Sequence, residues 1–188
     1  MKKVVAIVGP SASGKNTLLE KLKKYLLDYN FVVHSTTRPK RDGEIEGINY
    51  HFLTEEEMYN KILNGDIINA ANYRGWIYAL EYDELEDDKI NIGDFNLSDL
   101  EELNINKNIE LYVIYMTAKS KVRFIRCLKR EVEPDISEIY RRYLSDDEDF
   151  YWFEEDLKNN VYKNFITIDT SNDIIDYNKI NNFLNEVK

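Results

Sequence analysis

A chain of 188 residues is long enough to bury one core, and its 43% hydrophobic and 32% charged residues exclude an intrinsically disordered polypeptide. The formal net charge of −10 argues against nucleic acid as a partner, so any phosphate site must gather its cations locally. The single cysteine, Cys127, excludes an internal disulfide and any cysteine-clustered metal site, and its helical neighbours "FIRCLKR" suit a small buried apolar residue.

The segment "MKKVVAIVGP" carries an apolar run too short for a signal sequence or a membrane span, which predicts a cytoplasmic protein without membrane association. Within it residues 3–8, "KVVAIV", suit a strand buried on both faces. Leu18, Leu19, Leu22, Leu26 and Leu27 then recur at helical spacing, so residues 9–17 join strand to helix. "FVVHSTT" (31–37) predicts a second strand, followed by a turn-rich charged excursion over 38–49. Thr54 with Glu57 makes a capping box and Gly65 a stop, which predicts a helix over 55–64. "DIINAANY" and "WIYAL" alternate as strands; a strand at 88–92, a short helix near 97–103 and a strand at 109–116 follow. Residues 119–158 read as helical with an interruption around Pro134, and "FITIDT" (165–170) is a last strand before a terminal helix. Strands alternating with helices predict an α/β fold built on a doubly wound parallel sheet.

The strand-to-helix connection reads "GPSASGKNT". Gly9 and Gly14 let the backbone wrap closely, so the N–H groups around Ser11, Ala12 and Ser13 and the following helix N-terminus can point at a polyphosphate while Lys15 reaches its outer phosphates. Position 16 carries Asn where a hydroxyl that touches Mg²⁺ is usual. Because Mg²⁺ keeps several waters, the Asn16 amide oxygen can serve directly or through water, with the Thr17 hydroxyl beside it.

A second constellation lies in "STTRPKRDGEIEGINYHF" (35–52). Arg38 and Arg41 stand three apart around a stiffening proline, Gly43 and Gly47 bend the chain, and Tyr50 presents a phenol. Two guanidinium forks and a hydroxyl make a receptor for one phosphate dianion; a solvated charged loop is the alternative reading. The acidic runs 81–88 and 146–149 lack calcium-loop spacing and read as solvated faces.

The loop, the 35–52 pattern, Tyr78 and the late segment "RCLKREVEPDISEIYRRYLSDDEDF" together resemble the guanylate kinase family of nucleoside monophosphate kinases, in order and over essentially the whole chain. The resemblance implies a single domain with a P-loop core (1–33, 84–125 and 159–188), an acceptor-binding insertion (34–83) and a helical lid (126–158). It implies transfer of the γ-phosphoryl of Mg-ATP to GMP or dGMP by a monomer or homodimer. ATP would be held by Gly9, Ser11, Ala12, Ser13, Gly14, Lys15, Asn16, Thr17, Arg126 and Arg130. The acceptor would be held by His34, Ser35, Arg38, Arg41, Glu44, Tyr50, Asn69, Tyr78, Arg141 and Arg142. Catalytic roles would fall to Lys15, Arg38, Arg130 and Arg142. Non-catalytic domains of this type bind phosphorylated peptides, an alternative that needs no working phosphate loop.

The chain departs from the family where the base is read. The family's base-gripping carboxylate falls on Asn69 and a serine partner on His34, while a further aspartate after the strand at 88–92 is replaced at Gly93. An amide cannot grip both guanine donors as a carboxylate can. That loss is worth about 1.5–3 kcal/mol, enough to blur base choice toward hypoxanthine, uracil or thymine, or toward a modified nucleotide. The alternative for His34 is a packed strand end.

Overall fold

The buried β-branched run near the N-terminus becomes β1 (Lys2–Val8), in which every residue from Val4 to Val8 is inaccessible to solvent. The structure, a computed structural model, describes residues 1–73, 75–130 and 135–188; the expected break around Pro134 lies outside the described residues, as does the side chain of Arg130. After β1 come α1 (Lys15–Tyr25), β2 (Asn30–Phe31), β3 (Ser35–Thr36), β4 (His51–Phe52), α2 (Glu55–Asn64), β5 (Ile67–Tyr73) and β6 (Trp76–Glu81). Then follow β7 (Ile90–Asp94), α3 (Leu97–Ile105), β8 (Ile109–Thr117), α4 (Ser120–Arg130), α5 (Ile136–Lys158), β9 (Asn164–Asp169) and α6 (Tyr177–Val187).

These elements form two units, one of Met1–Val4 with Asp28–Glu110 and one of Val5–Leu27 with Leu111–Lys188. The expected insertion 34–83 lies wholly in the first; the described part of the expected lid 126–158, the end of α4 and all of α5, lies in the second with the loop after β1. The first unit carries the strand order β2-β7-β1 and a separate sheet ordered β4-β3-β6-β5. There β2 runs parallel to β7, with Asn30 opposite Asn91 and Phe31 opposite Ile92. The second unit carries the order β1-β8-β9, in which β8 and β9 run parallel from Tyr112 opposite Asn164 to Thr117 opposite Asp169. α6 buries Ile180, Phe183, Leu184 and Val187, the i, i+3, i+4, i+7 stripe of a helix with one apolar face.

Three expectations need correction. The single strand over 31–37 is two short strands in different sheets. Val32 N–H continues the parallel ladder by donating to Ile92 O, but Val33 N–H donates to the Glu84 carboxylate at 3.1 Å, and the chain crosses to pair with β4 and β6. The leucine run also outlasts its helix: α1 buries Leu18 and Leu22, stops at Tyr25, and leaves Leu27 82% exposed. The strand expected at 88–92 starts two residues later. The helix over 55–64 has the predicted limits, with both halves of the Thr54–Glu57 capping box formed and Gly65 left-handed at φ 80°.

Candidate active site

In the second unit, β1 ends at a loop whose shape needs its glycines. A Cβ on Gly9 would lie 2.1 Å from Met116 O, and Gly14 enters α1 at φ 102°. Ala12 sits at φ 61°, a strained value for a residue with a side chain, of the kind that collects at binding loops. The loop carbonyls are tied back. Thr170 Oγ1 donates to Ser13 O at 2.9 Å, and Arg126 Nη1 donates to Ala12 O at 3.0 Å. Arg126 also bonds Thr170 O, Thr170 Oγ1 and Asp173, so it stands at the loop as a brace. Of the loop amides, Ser13 N–H donates to Pro10 O at 3.2 Å, while Ser11 N–H takes an anion: it donates to Asp146 Oδ2 of α5 at 2.8 Å. Lys15 folds back onto Gly9 O at 2.6 Å.

Asn16 and Thr17 stand exposed in the first turn of α1. Among the described residues no group of three or more His, Cys, Asp or Glu could hold a metal ion. Amide and hydroxyl oxygens are hard donors that suit Mg²⁺, an ion that takes few protein ligands and completes its shell with phosphate and water. Farther along the unit, Arg141 and Arg142 both donate to Glu138, at 2.9 and 2.6 Å, and together hold that carboxyl well down, to about 2. A cavity of about 360 Å³ beside Pro10 is lined by Tyr115, Lys119, Arg123, Phe150 and Glu154.

In the first unit, sheet register gathers the expected acceptor residues. Asn69 lies opposite Leu80, Ala71 and Thr36 lie opposite Tyr78, and Phe52 lies opposite Thr36, so these positions share one face. Tyr50 and Arg38 continue the alternation two residues out. The Tyr50 ring stands 5.8 Å from Tyr78 and 6.0 Å from Phe52, and the Arg38 guanidinium lies 5.5 Å from the Tyr50 ring and 5.7 Å from the Phe52 ring. Arg38 is buried and forks onto Glu44 at 2.8 and 3.1 Å; Arg41 is exposed, and its backbone N–H donates to the same carboxylate at 2.8 Å. The Arg38 bonds, helped by that N–H, hold the Glu44 carboxyl below its usual range, and Glu44 in turn raises Arg38. Burial pushes the Tyr50 phenol up, with the Tyr78 phenol and Asp94 adding to it. Ser35, grouped with this set by position, is not brought to it: it pairs with Ala79 on the opposite face, where its hydroxyl donates to Glu81.

His34 and Asn69 meet at a residue that the sequence reading missed. The Asp99 carboxylate, 1% exposed at the N-terminal turn of α3, accepts from Asn69 Nδ2 at 2.8 Å and lies 3.1 Å from His34 Nε2. Asn69 Nδ2 also donates to Ser98 Oγ at 2.8 Å. The signal available was "NLSD", a capping box in which Asn96 accepts from Asp99 N–H and Asp99 accepts from Asn96 N–H. Gly93 is buried, and an added Cβ would meet Phe95 at 3.1 Å; the exposed carboxylate Asp94 follows it at the end of β7.

A sequence-family model described as guanylate kinase matches residues 1–184. Curated guanylate kinases of Synechococcus sp. (strain JA-3-3Ab) and Chlorobium luteolum are 42% and 39% identical, each over 77 residues, or 41% of this chain. The matched stretch spans only 36% and 39% of those two proteins. A crystal structure of guanylate kinase from Anaplasma phagocytophilum superposes with a TM-score of 0.64 at 22% identity, covering 98% of this chain and 86% of that one, which is a likeness of fold.

Proposed function

Since the chain belongs to the guanylate kinase family, we propose that it is an ATP-dependent nucleoside monophosphate kinase, transferring the γ-phosphoryl of Mg-ATP to GMP or dGMP to give ADP and the diphosphate. The observation that carries this reading is the face shared by Arg38, Tyr50 and Tyr78, a cationic and phenolic cup on a protein of net charge −10. The buried Arg38 fork, now closed on the Glu44 carboxylate, has the planar two-pronged geometry that a phosphate dianion would take.

The chemistry asks for no general base, because an acceptor phosphate oxygen is already ionised. What the chain must provide is positioning and charge neutralisation. Lys15 would leave Gly9 O for the outer phosphates of ATP, whose inner phosphates take the loop amides. Arg38 and Arg41 would hold the acceptor phosphate, Tyr50 and Tyr78 would donate to it, and Arg141 and Arg142 would neutralise charge on the group in transfer. Mg²⁺, met by Asn16 and Thr17, would supply charge neutralisation on the phosphate oxygens. Among the described residues no helix is long and apolar enough to cross a membrane, and we place the reaction in the cytoplasm, where both nucleotides are found.

Coupled ADP release with Mg-ATP is expected to show turnover with GMP and dGMP, and a blank across a panel that includes IMP and dTMP would end the kinase reading. Lys15→Ala is expected to lose ATP binding in an equilibrium titration, whereas a phosphopeptide-binding module would not bind ATP even before substitution.

A further inference from the structure

We propose that Asp99 is a specificity-determining positioning residue: it locks the Asn69 amide so that only the carbonyl oxygen is left for the base, which, among purines, makes the acceptor site a reader of the 6-oxo kind that ignores the 2-amino group. The proposal rests on the acceptor reading given above.

The orientation of Asn69 follows from what its neighbours can accept. Nδ2 lies 2.8 Å from Asp99 Oδ1 and 2.8 Å from Ser98 Oγ. The Asp99 carboxylate already accepts Asn96 N–H on its other oxygen, at 3.1 Å, and Ser98 Oγ gives its own proton to Asn96 Oδ1 at 2.7 Å. Both groups therefore face Asn69 as acceptors, and a turned-over amide would set its oxygen against two oxygens. Asn69 is half-buried, and among the described residues its carbonyl oxygen accepts no hydrogen bond. Asp99 itself cannot turn away, because the capping box of α3 and His34 Nε2 hold it from the far side.

A lone acceptor pairs with a ring N–H. Guanine and hypoxanthine both present N1–H beside a 6-oxo group, whereas adenine presents a bare N1, acceptor against acceptor. The guanine 2-amino group meets no carboxylate at position 69, so its presence or absence changes little.

The test is a kcat/KM series for GMP, IMP and AMP with the wild type and with Asp99→Asn. In the wild type, GMP and IMP are expected within about fivefold of each other and AMP at least about a hundredfold lower. Asp99→Asn keeps an oxygen for Asn96 N–H but turns an N–H toward Asn69. The amide should then flip, with the Ser98 hydroxyl turning its proton from Asn96 Oδ1 to the Asn69 oxygen, moving the GMP-to-AMP ratio toward AMP by roughly tenfold or more with KM for ATP unchanged. Should Asp99→Asn fail to fold by thermal unfolding, Asn69→Ala reads the same point, lowering GMP and IMP by about tenfold while sparing AMP. A preference for GMP over IMP beyond about fiftyfold, or a ratio unmoved by the substitution, overturns the proposal. If nothing turns over at all, the kinase reading fails first. Calorimetric titration of GMP, IMP and AMP then decides this one, since equal or absent binding of all three contradicts it.

Discussion

On the proposed function, Arg38 would be prepared for its ligand before the ligand arrives. Its fork is closed on Glu44 and its flat face lies near Tyr50 and Phe52, so little side-chain freedom remains to be lost when a phosphate binds. Arg38→Lys keeps the charge but loses the planar fork. It is expected to lower kcat/KM for the acceptor by about tenfold to hundredfold in steady-state kinetics, while KM for ATP stays within about twofold. Glu138 plays the complementary part for Arg141 and Arg142. Its carboxyl sits lowered at about 2, so the stabilisation it brings is fully present above the unfolded-state value near 4.3 and disappears as pH falls through about 2. Both arginines are about half exposed, 49% and 47%, so solvent screening limits the pair to roughly 0.5–1 kcal/mol. Denaturant unfolding of Glu138→Gln should show that deficit at pH 7, and the gap should close on going to pH 2.

Elements differ in how much of their cause is local. α2 carries both of its ends in its own sequence, the Thr54–Glu57 box and the left-handed Gly65, which is why its limits were legible without a structure. Thr54→Ala removes the acceptor for Glu57 N–H and should cost about 1 kcal/mol, seen as a melting temperature lower by roughly 2–4 °C with acceptor KM unaltered. The parallel strands and the phosphate loop were legible for the same reason: β-branched runs and glycine spacing are local signals. The break between β2 and β3 was not, because the group that ends the ladder at Val33 is Glu84, fifty-one residues away in sequence. The candidate site divides in the same way. Arg38, Tyr50 and Tyr78 could be read as a set from a contiguous pattern and a resemblance, yet Ser35 fell on the wrong face once alternation was fixed by the Thr36–Tyr78 register. Asp99 escaped because its partnership with Asn69 exists only through the packing of α3 against β5.

For the molecule as a whole, the proposed function asks an acidic excess to coexist with sites for two polyanions. At the phosphate loop this has a visible consequence: the Ser11 N–H that a triphosphate would use is held by the Asp146 carboxylate at 2.8 Å. On the proposed function ATP would have to displace that carboxylate, so Asp146 would set an affinity cost that the loop alone would not have. Asp146→Asn keeps the shape and exchanges a charge-assisted bond for a weaker neutral one, a difference of about 1 kcal/mol, and ATP should bind roughly fivefold tighter in a calorimetric titration. The substitution leaves Arg123 its nearer partner, Asp147 at 2.5 Å, against 3.6 Å to Asp146, so the buried guanidinium is not stranded. Asp147→Asn is the control. Arg123 is only 4% exposed and its Nε has no hydrogen-bond partner among the described residues, so loss of Asp147 should appear as lowered thermal stability, with ATP affinity little changed. Equal ATP affinity in wild type and Asp146→Asn would mean that the carboxylate yields the Ser11 amide without cost, and that the acidity of the chain stops short of the loop.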